Sequence, residues 1–151
     1  MSTSGGYTHP EYLVDAAWVD AHKDDANVVI IDCDVEAGYN RGHIPRAALV
    51  PDNFEKNPDT GRVHLMNAEQ FTAMCQGLGI GDDSLVIAYD NSQSLTSARL
   101  WWALNTYGHP NVKILNGGWR AWVANGGAVD FGAPEKWVVP IAANVVALNY
   151  T

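Results

Sequence analysis

The stretch Leu85–Trp102 constrains the chain most: Leu-Val-Ile-Ala-Tyr, then Asp-Asn-Ser-Gln-Ser, then Leu-Thr-Ser-Ala-Arg-Leu-Trp-Trp. A short run that is apolar at every position fits a strand covered on both faces. The polar residues Asp90–Ser94 break that run, and apolar residues then return at helical spacing. The pattern predicts a strand, a loop and a helix in succession. In open α/β folds ligands bind beyond the carboxyl ends of the strands. A polar loop running into a helix there offers backbone N–H groups to an anion. The candidate site therefore begins at Asp90, the first residue of the loop.

A second run, Val28-Val29-Ile30-Ile31, is β-branched throughout and also reads as a central parallel strand, closed by Asp32-Cys33-Asp34. Around these two strands the elements alternate. Asp15 is placed to cap a helix over Ala16–His22. Glu36–Arg41 fits one or two helical turns, Pro45 biases Ile44 toward an extended backbone, and Ala47–Val50 fits a short strand. Asn67 with Gln70 makes a capping box for a helix carrying Phe71, Met74, Cys75 and Leu78 on one face. Gly108-His109-Pro110 stops the helix that holds Leu100, Trp101, Leu104 and Tyr107. Val112–Leu115 is a further strand, followed by Asn116-Gly117-Gly118 and a short helix over Trp119–Asn125. Strands alternating with helices imply right-handed crossovers and a parallel sheet. Pro51–His64 is expected to be loop, and residues 1–8 a frayed N-terminus.

A chain of 151 residues suits one domain. Nine basic against seventeen acidic residues give a net charge of −8, which argues against nucleic acid and anionic membrane surfaces as partners. No apolar run is long enough to span a bilayer, and the polar start lacks the apolar core of a signal peptide. Two cysteines, Cys33 and Cys75, do not make a disulfide framework, so a cytoplasmic, reduced setting is expected. The five histidines (His9, His22, His43, His64, His109) lack ligand-like spacing, so no metal is expected; no cofactor is expected either.

Three constellations bear on chemistry. Val28–Val35, an apolar strand followed by Asp-x-Asp, resembles the first motif of haloacid dehalogenase-type phosphatases, in which an aspartate attacks phosphorus. Those enzymes need an acidic pair after a later strand. Here Asp82-Asp83 precedes a strand and would lie at the wrong end of the sheet. The strand-end aspartates are better read as turn-capping groups. Cys75 falls mid-helix on the apolar face and reads as a core residue. Cys33 sits between two carboxylates, which disfavour a thiolate. Neither cysteine has the Cys-x₅-Arg phosphatase pattern.

The third constellation runs along most of the chain. Tyr39-Asn40-Arg41-Gly42-His43-Ile44-Pro45 comes first, then Tyr89-Asp90, then Ser97-Ala98-Arg99-Leu100-Trp101-Trp102-Ala103-Leu104. Tyr107-Gly108-His109 and Val112-Lys113-Ile114-Leu115-Asn116-Gly117-Gly118-Trp119-Arg120-Ala121-Trp122 complete the order. It resembles the rhodanese-like domains of the sulfurtransferase family over about residues 10–126. The resemblance implies an α/β fold: an open five-stranded parallel sheet with helices on both faces. It implies a domain over 1–126, with 127–151 a C-terminal tail or the start of an interdomain linker. Active members of the family carry a cysteine directly after the Tyr-ending strand, and that cysteine takes sulfane sulfur from thiosulfate or 3-mercaptopyruvate as a persulfide. Loop N–H groups and the following helix stabilise its negative charge.

In this chain that position is Asp90. A carboxylate cannot form a persulfide, and among inward-facing N–H groups it would accept them itself. The resemblance thus makes Asp90, Asn91, Ser92, Gln93, Ser94 and Arg99 a non-catalytic counterpart of the active-site loop, with Arg99 placed to pair with Asp90 or another carboxylate. Tyr-Asp, a longer loop and Ala-Arg-x-Trp-Trp are most similar to the N-terminal, non-catalytic half of tandem-domain thiosulfate or 3-mercaptopyruvate sulfurtransferases. The chain alone is then expected to be inactive, and to form the structural and substrate-cleft half of such an enzyme. A second rhodanese domain or a homo-oligomer is the expected partner, and a small sulfur anion the expected ligand. Two other functions stay open: a free-standing inactive module that binds a partner or small anion, and sulfur transfer or redox chemistry through Cys33. Arg46 departs from the family, whose Gly-His-Ile-Pro turn continues with Gly. Trp101, Trp102, Trp119 and Trp122 are expected in the core or at a domain interface, and His43 is expected to hydrogen-bond within its turn.

Overall fold

The computed structural model describes residues 10–50, 67–91 and 95–132. The loop expected over Pro51–His64, the frayed N-terminus over 1–8, and Ser92, Gln93 and Ser94 lie outside the described residues. A 3-10 turn at Pro10–Tyr12 leads into β1 (Leu13–Val14), α1 (Ala16–His22), β2 (Val28–Asp32), α2 (Glu36–Arg41) and β3 (Ala48–Leu49). α3 (Ala68–Gly77), β4 (Leu85–Tyr89), α4 (Leu95–Thr106), β5 (Val112–Leu115) and α5 (Gly118–Ala124) follow.

The five strands form one sheet in the order β1-β5-β4-β2-β3, and every neighbouring pair is parallel. This is the open five-stranded parallel sheet that the sequence implied. β1 is its least legible member, because two residues are too few to show any periodicity. The predicted strand over Ala47–Val50 is shorter, Ala48–Leu49. The predicted last helix begins one residue earlier, at Gly118, for a reason that belongs to the site below.

Local signals explain most boundaries. The Asp15 side chain accepts the Trp18 N–H at 2.8 Å and starts α1. Asn67 and Gln70 exchange both bonds of the capping box at 2.9 Å and start α3. The pleat then divides the core. Ile31, Cys33, Val86 and Ala88 face one side, packed with Phe71, Cys75, Leu100, Leu104 and Tyr107 of the α3 and α4 layer. Ile30, Ile87 and Tyr89 face the other, packed with Val19, Tyr39, Leu115 and Trp122 of the α1, α2 and α5 layer. Both central strands are covered on both sides, as their unbroken apolar runs required.

Of the four tryptophans expected in the core or at a domain interface, Trp122 is fully buried and Trp101 and Trp119 are partly so, but Trp102 is 55% exposed. Trp102 is therefore not in the core of this domain, because it lies on the outer side of α4, opposite Leu100, Ala103 and Leu104, and of its two expected places only a domain interface is left.

Candidate functional site

The strand order fixes where a site can form. From β2 the chain moves outward to β3, and from β4 it moves the opposite way to β5. The carboxyl ends of β2 and β4 therefore flank the topological switch point, where open α/β sheets bind ligands. Asp32 and Tyr89 are register partners there, and the Cys33 N–H donates to the Tyr89 carbonyl at 2.7 Å. Asp90 is the next residue. Asp82 and Asp83 lie at the opposite end, before β4 begins, so this acidic pair does not join Asp32 and Asp34.

Asp90 is 2% exposed. Its Oδ2 accepts the Ser97 N–H at 2.7 Å and the Thr96 hydroxyl at 3.0 Å, so the carboxylate occupies free donors of the first turn of α4. Its carbonyl accepts the Trp119 N–H at 3.0 Å from the first turn of α5. That second contact explains the Asn-Gly-Gly-Trp sequence. Gly118 has φ +56°, and a Cβ there would lie 2.2 Å from the Asp90 carbonyl oxygen. Only glycine lets α5 close on Asp90 with this backbone, which is why the helix starts at Gly118.

On the opposite face of the sheet Tyr89 holds a buried chain of hydrogen bonds. Its hydroxyl donates to Asp32 Oδ2 at 2.9 Å and accepts the Ile44 N–H at 3.0 Å. Asp32 Oδ1 accepts the Asp34 N–H at 2.8 Å. Burial pushes the Asp32 carboxyl up from 3.8 to about 6, and the neighbouring Asp34 and Asp90 charges add to this. The same burial and the Asp32 charge drive Tyr89 far above the ordinary phenol range. Sequence reasoning missed this pairing of Tyr89 with Asp32. Each residue ends an apolar strand, and only the strand order reveals that they are register partners.

Cys33 is 4% exposed, and its thiol faces the Ile31 carbonyl at 3.9 Å. Burial first, then the Asp32 and Asp90 charges, raise its pKa well above the ordinary thiol value. Burial likewise pushes Cys75, in the core as expected, up to about 12. His43 bonds within its turn, Nδ1 to the Tyr39 carbonyl at 2.9 Å, and stacks on the Tyr39 ring at 3.7 Å. Asn91 and Arg99 are exposed. The structure thus gathers Asp90, Asn91, Cys33 and the start of α4 at one end of the sheet. Arg46 places its guanidinium 3.6 Å from Asp24. Its φ of +72° is the left-handed backbone that a glycine adopts without strain.

The rhodanese-like domain model matches residues 15–125. A thiosulfate sulfurtransferase of Corynebacterium glutamicum is 28% identical over 130 residues, 85% of this chain and 43% of that protein. The sulfur carrier protein TtuD of Thermus thermophilus is 32% identical over 122 residues, 80% of this chain and 42% of that protein. The crystal structure of SseA from Escherichia coli, described with the fold and mechanism of 3-mercaptopyruvate sulfotransferases, superposes with a TM-score of 0.74 at 27% identity. That match covers 93% of this chain and 55% of the other. The chain spans less than half the length of the curated relatives it matches. With this strand order, this motif order and a match over 15–125, the chain belongs to the rhodanese-like domain family.

Proposed function

We propose that this chain is a sulfurtransferase-family domain without its own sulfur-transfer chemistry, serving as the structural and substrate-cleft half of a tandem thiosulfate or 3-mercaptopyruvate sulfurtransferase. The observation that carries the reading is Asp90. It stands where active relatives carry the nucleophilic cysteine, and its carboxylate takes the Ser97 N–H and Thr96 hydroxyl at the start of α4. A persulfide needs a sulfur atom at that point, held by donors that are free to stabilise negative charge. Here the side chain has no sulfur, and these two donors are engaged. Asn91, Ser92, Gln93, Ser94 and Arg99 complete the proposed counterpart of the active-site loop.

On this reading the domain spans 1–126 and the tail or linker 127–151; the contacts of Gly127–Gly132 keep the start of that tail on the domain. The partner is a second rhodanese domain or a second copy of this chain, and the ligand class is a small sulfur anion. Chemistry through Cys33 is disfavoured by its burial and raised pKa. The test is intact-mass measurement of the 151-residue chain after thiosulfate treatment. The unmodified mass is expected. A cyanide-labile sulfur adduct on the chain would overturn the proposal.

A further inference from the structure

After α5 the chain does not leave the domain. Gly127 donates its N–H to the Trp122 carbonyl at 3.1 Å, and the Trp122 indole Nε1 donates to the Ala128 carbonyl at 2.8 Å. A Cβ at Gly127 would fall 2.2 Å from the Trp122 ring, so only a glycine lies this close to it. Val129 packs against Gly42 beside Trp119. Asp130 and His43 then exchange both backbone hydrogen bonds at 2.9 Å, an antiparallel bridge between segments 87 residues apart (130 − 43). Gly132 donates to the Asn40 carbonyl at 3.1 Å.

The segment holds the turn that carries Ile44, and the Ile44 N–H ends on the Tyr89 hydroxyl, which ends on Asp32. Hydrogen bonds from Asp130 to His43, and from Ile44 to Tyr89 and on to Asp32, are thus joined through the covalent His43–Ile44 link and reach the residues flanking the switch point. Ile44 is fully buried, so its N–H has no water to turn to while the turn is seated. Asp130, Phe131 and Ala128 are exposed, so the segment lies at the surface, with the buried Trp122 ring directly beneath it.

We propose that residues 127–132 are a strap that couples the chain beyond them to the candidate site, by seating or releasing the Gly42–Ile44 turn on the Tyr89 hydroxyl. With the strap seated, the Tyr89 hydroxyl is held between Ile44 and Asp32. With the strap lifted, the turn loses its bridge to Asp130 and the Ile44 N–H opens to solvent, while β2 and β4 stay paired. The inference holds whether or not the site transfers sulfur.

The test is amide hydrogen exchange on the full chain and on Asp130→Pro, which removes the N–H donated to His43. Gly127→Ala is the second variant, placing a methyl against Trp122. In both, exchange at Ile44 and His43 is expected to accelerate by about tenfold or more, with exchange at Val86 and Ile87 unchanged. Unchanged exchange at Ile44 in both folded variants overturns the coupling. Equal acceleration at Ile44 and Ile87 also overturns it, because the strap would then be part of the global unfolding unit.

Discussion

Replacing Asp90 by Ala separates its structural role from any other. The substitution leaves the Ser97 N–H and the Thr96 hydroxyl without the acceptor that each now uses at 2.7 and 3.0 Å. A helix cap changed to Ala costs about 0.5–2 kcal/mol. A hydrogen bond to an ionised acceptor contributes about 1.5–3 kcal/mol, and at 2% exposure little water is at hand to replace it. The expected loss for Asp90→Ala is therefore about 3 kcal/mol, a large share of the 5–15 kcal/mol typical of a domain. Asp90→Asn keeps an oxygen for the Ser97 N–H and gives up only the charge, so its cost should be about 1 kcal/mol or less. Both variants remove a negative charge that raises the Asp32 carboxyl, so Asp32 should titrate below about 6 in each. Urea denaturation gives the two free energies, and carboxyl ¹³C shifts give the titration. Equal losses for Ala and Asn, or an Asp32 midpoint that does not fall, would refute the assignment of Asp90 as the charged cap of α4.

Gly118→Ala should cost about 3 kcal/mol or more, since it combines a left-handed backbone with a clash against the Asp90 carbonyl; Gly126→Ala, at φ +75° with open space around it, should cost only about 1–2 kcal/mol by the same denaturation assay. Arg46→Gly relieves backbone strain at φ +72° but adds unfolded-state entropy, so a net gain of about 0.5–1 kcal/mol is expected, and a loss would contradict the strain argument. The Asp32 carboxyl sits at about 6 in the folded state against an ordinary 3.8, so the folded chain keeps a proton that the unfolded chain has lost. That contribution is full below about pH 4 and is lost as pH rises through 6, at most about 3 kcal/mol, and Asp32→Asn should flatten it. His109 runs the other way. Burial lowers its pKa, and its Nε2 donates to the Ser84 carbonyl at 3.0 Å, so its contribution is present above about 6.5 and lost as pH falls through its lowered value. Stability of His109→Gln against wild type between pH 7 and 5 reads this directly.

Much of the fold was legible because the signals were local. Val28–Ile31 and Leu85–Tyr89 read as buried parallel strands because every position is apolar. Asp15 and the Asn67–Gln70 box read as helix starts because their partners lie three residues away. β1 was not legible, since two residues at a sheet edge carry no period. The candidate site was legible only in part. Asp90 announced itself as the polar residue that ends a strand and opens a loop. The Tyr89–Asp32–Ile44 network was invisible, because its members are 57 and 45 residues apart and meet only when β2 and β4 are placed side by side. The exposure of Trp102 was hidden for a related reason: adjacent tryptophans on a helix point in different directions, and spacing alone does not say which one the sheet covers. The packing of residues 127–132 depends on Gly127 meeting Trp122, a contact with no signature of its own in the sequence.

The central claim is that Asp90 leaves this domain without sulfur-transfer chemistry of its own. Thiocyanate formation from thiosulfate and cyanide by the purified 151-residue chain tests it most directly, with Cys33→Ser and Asp90→Cys measured alongside. The account predicts a rate indistinguishable from the protein-free background for the chain and for Cys33→Ser. On the proposal that the loop opening at Asp90 is a non-catalytic counterpart of the active-site loop, it predicts only weak turnover for Asp90→Cys. Thiocyanate formed catalytically by the unaltered chain and abolished by Cys33→Ser would contradict the account and move the chemistry to Cys33.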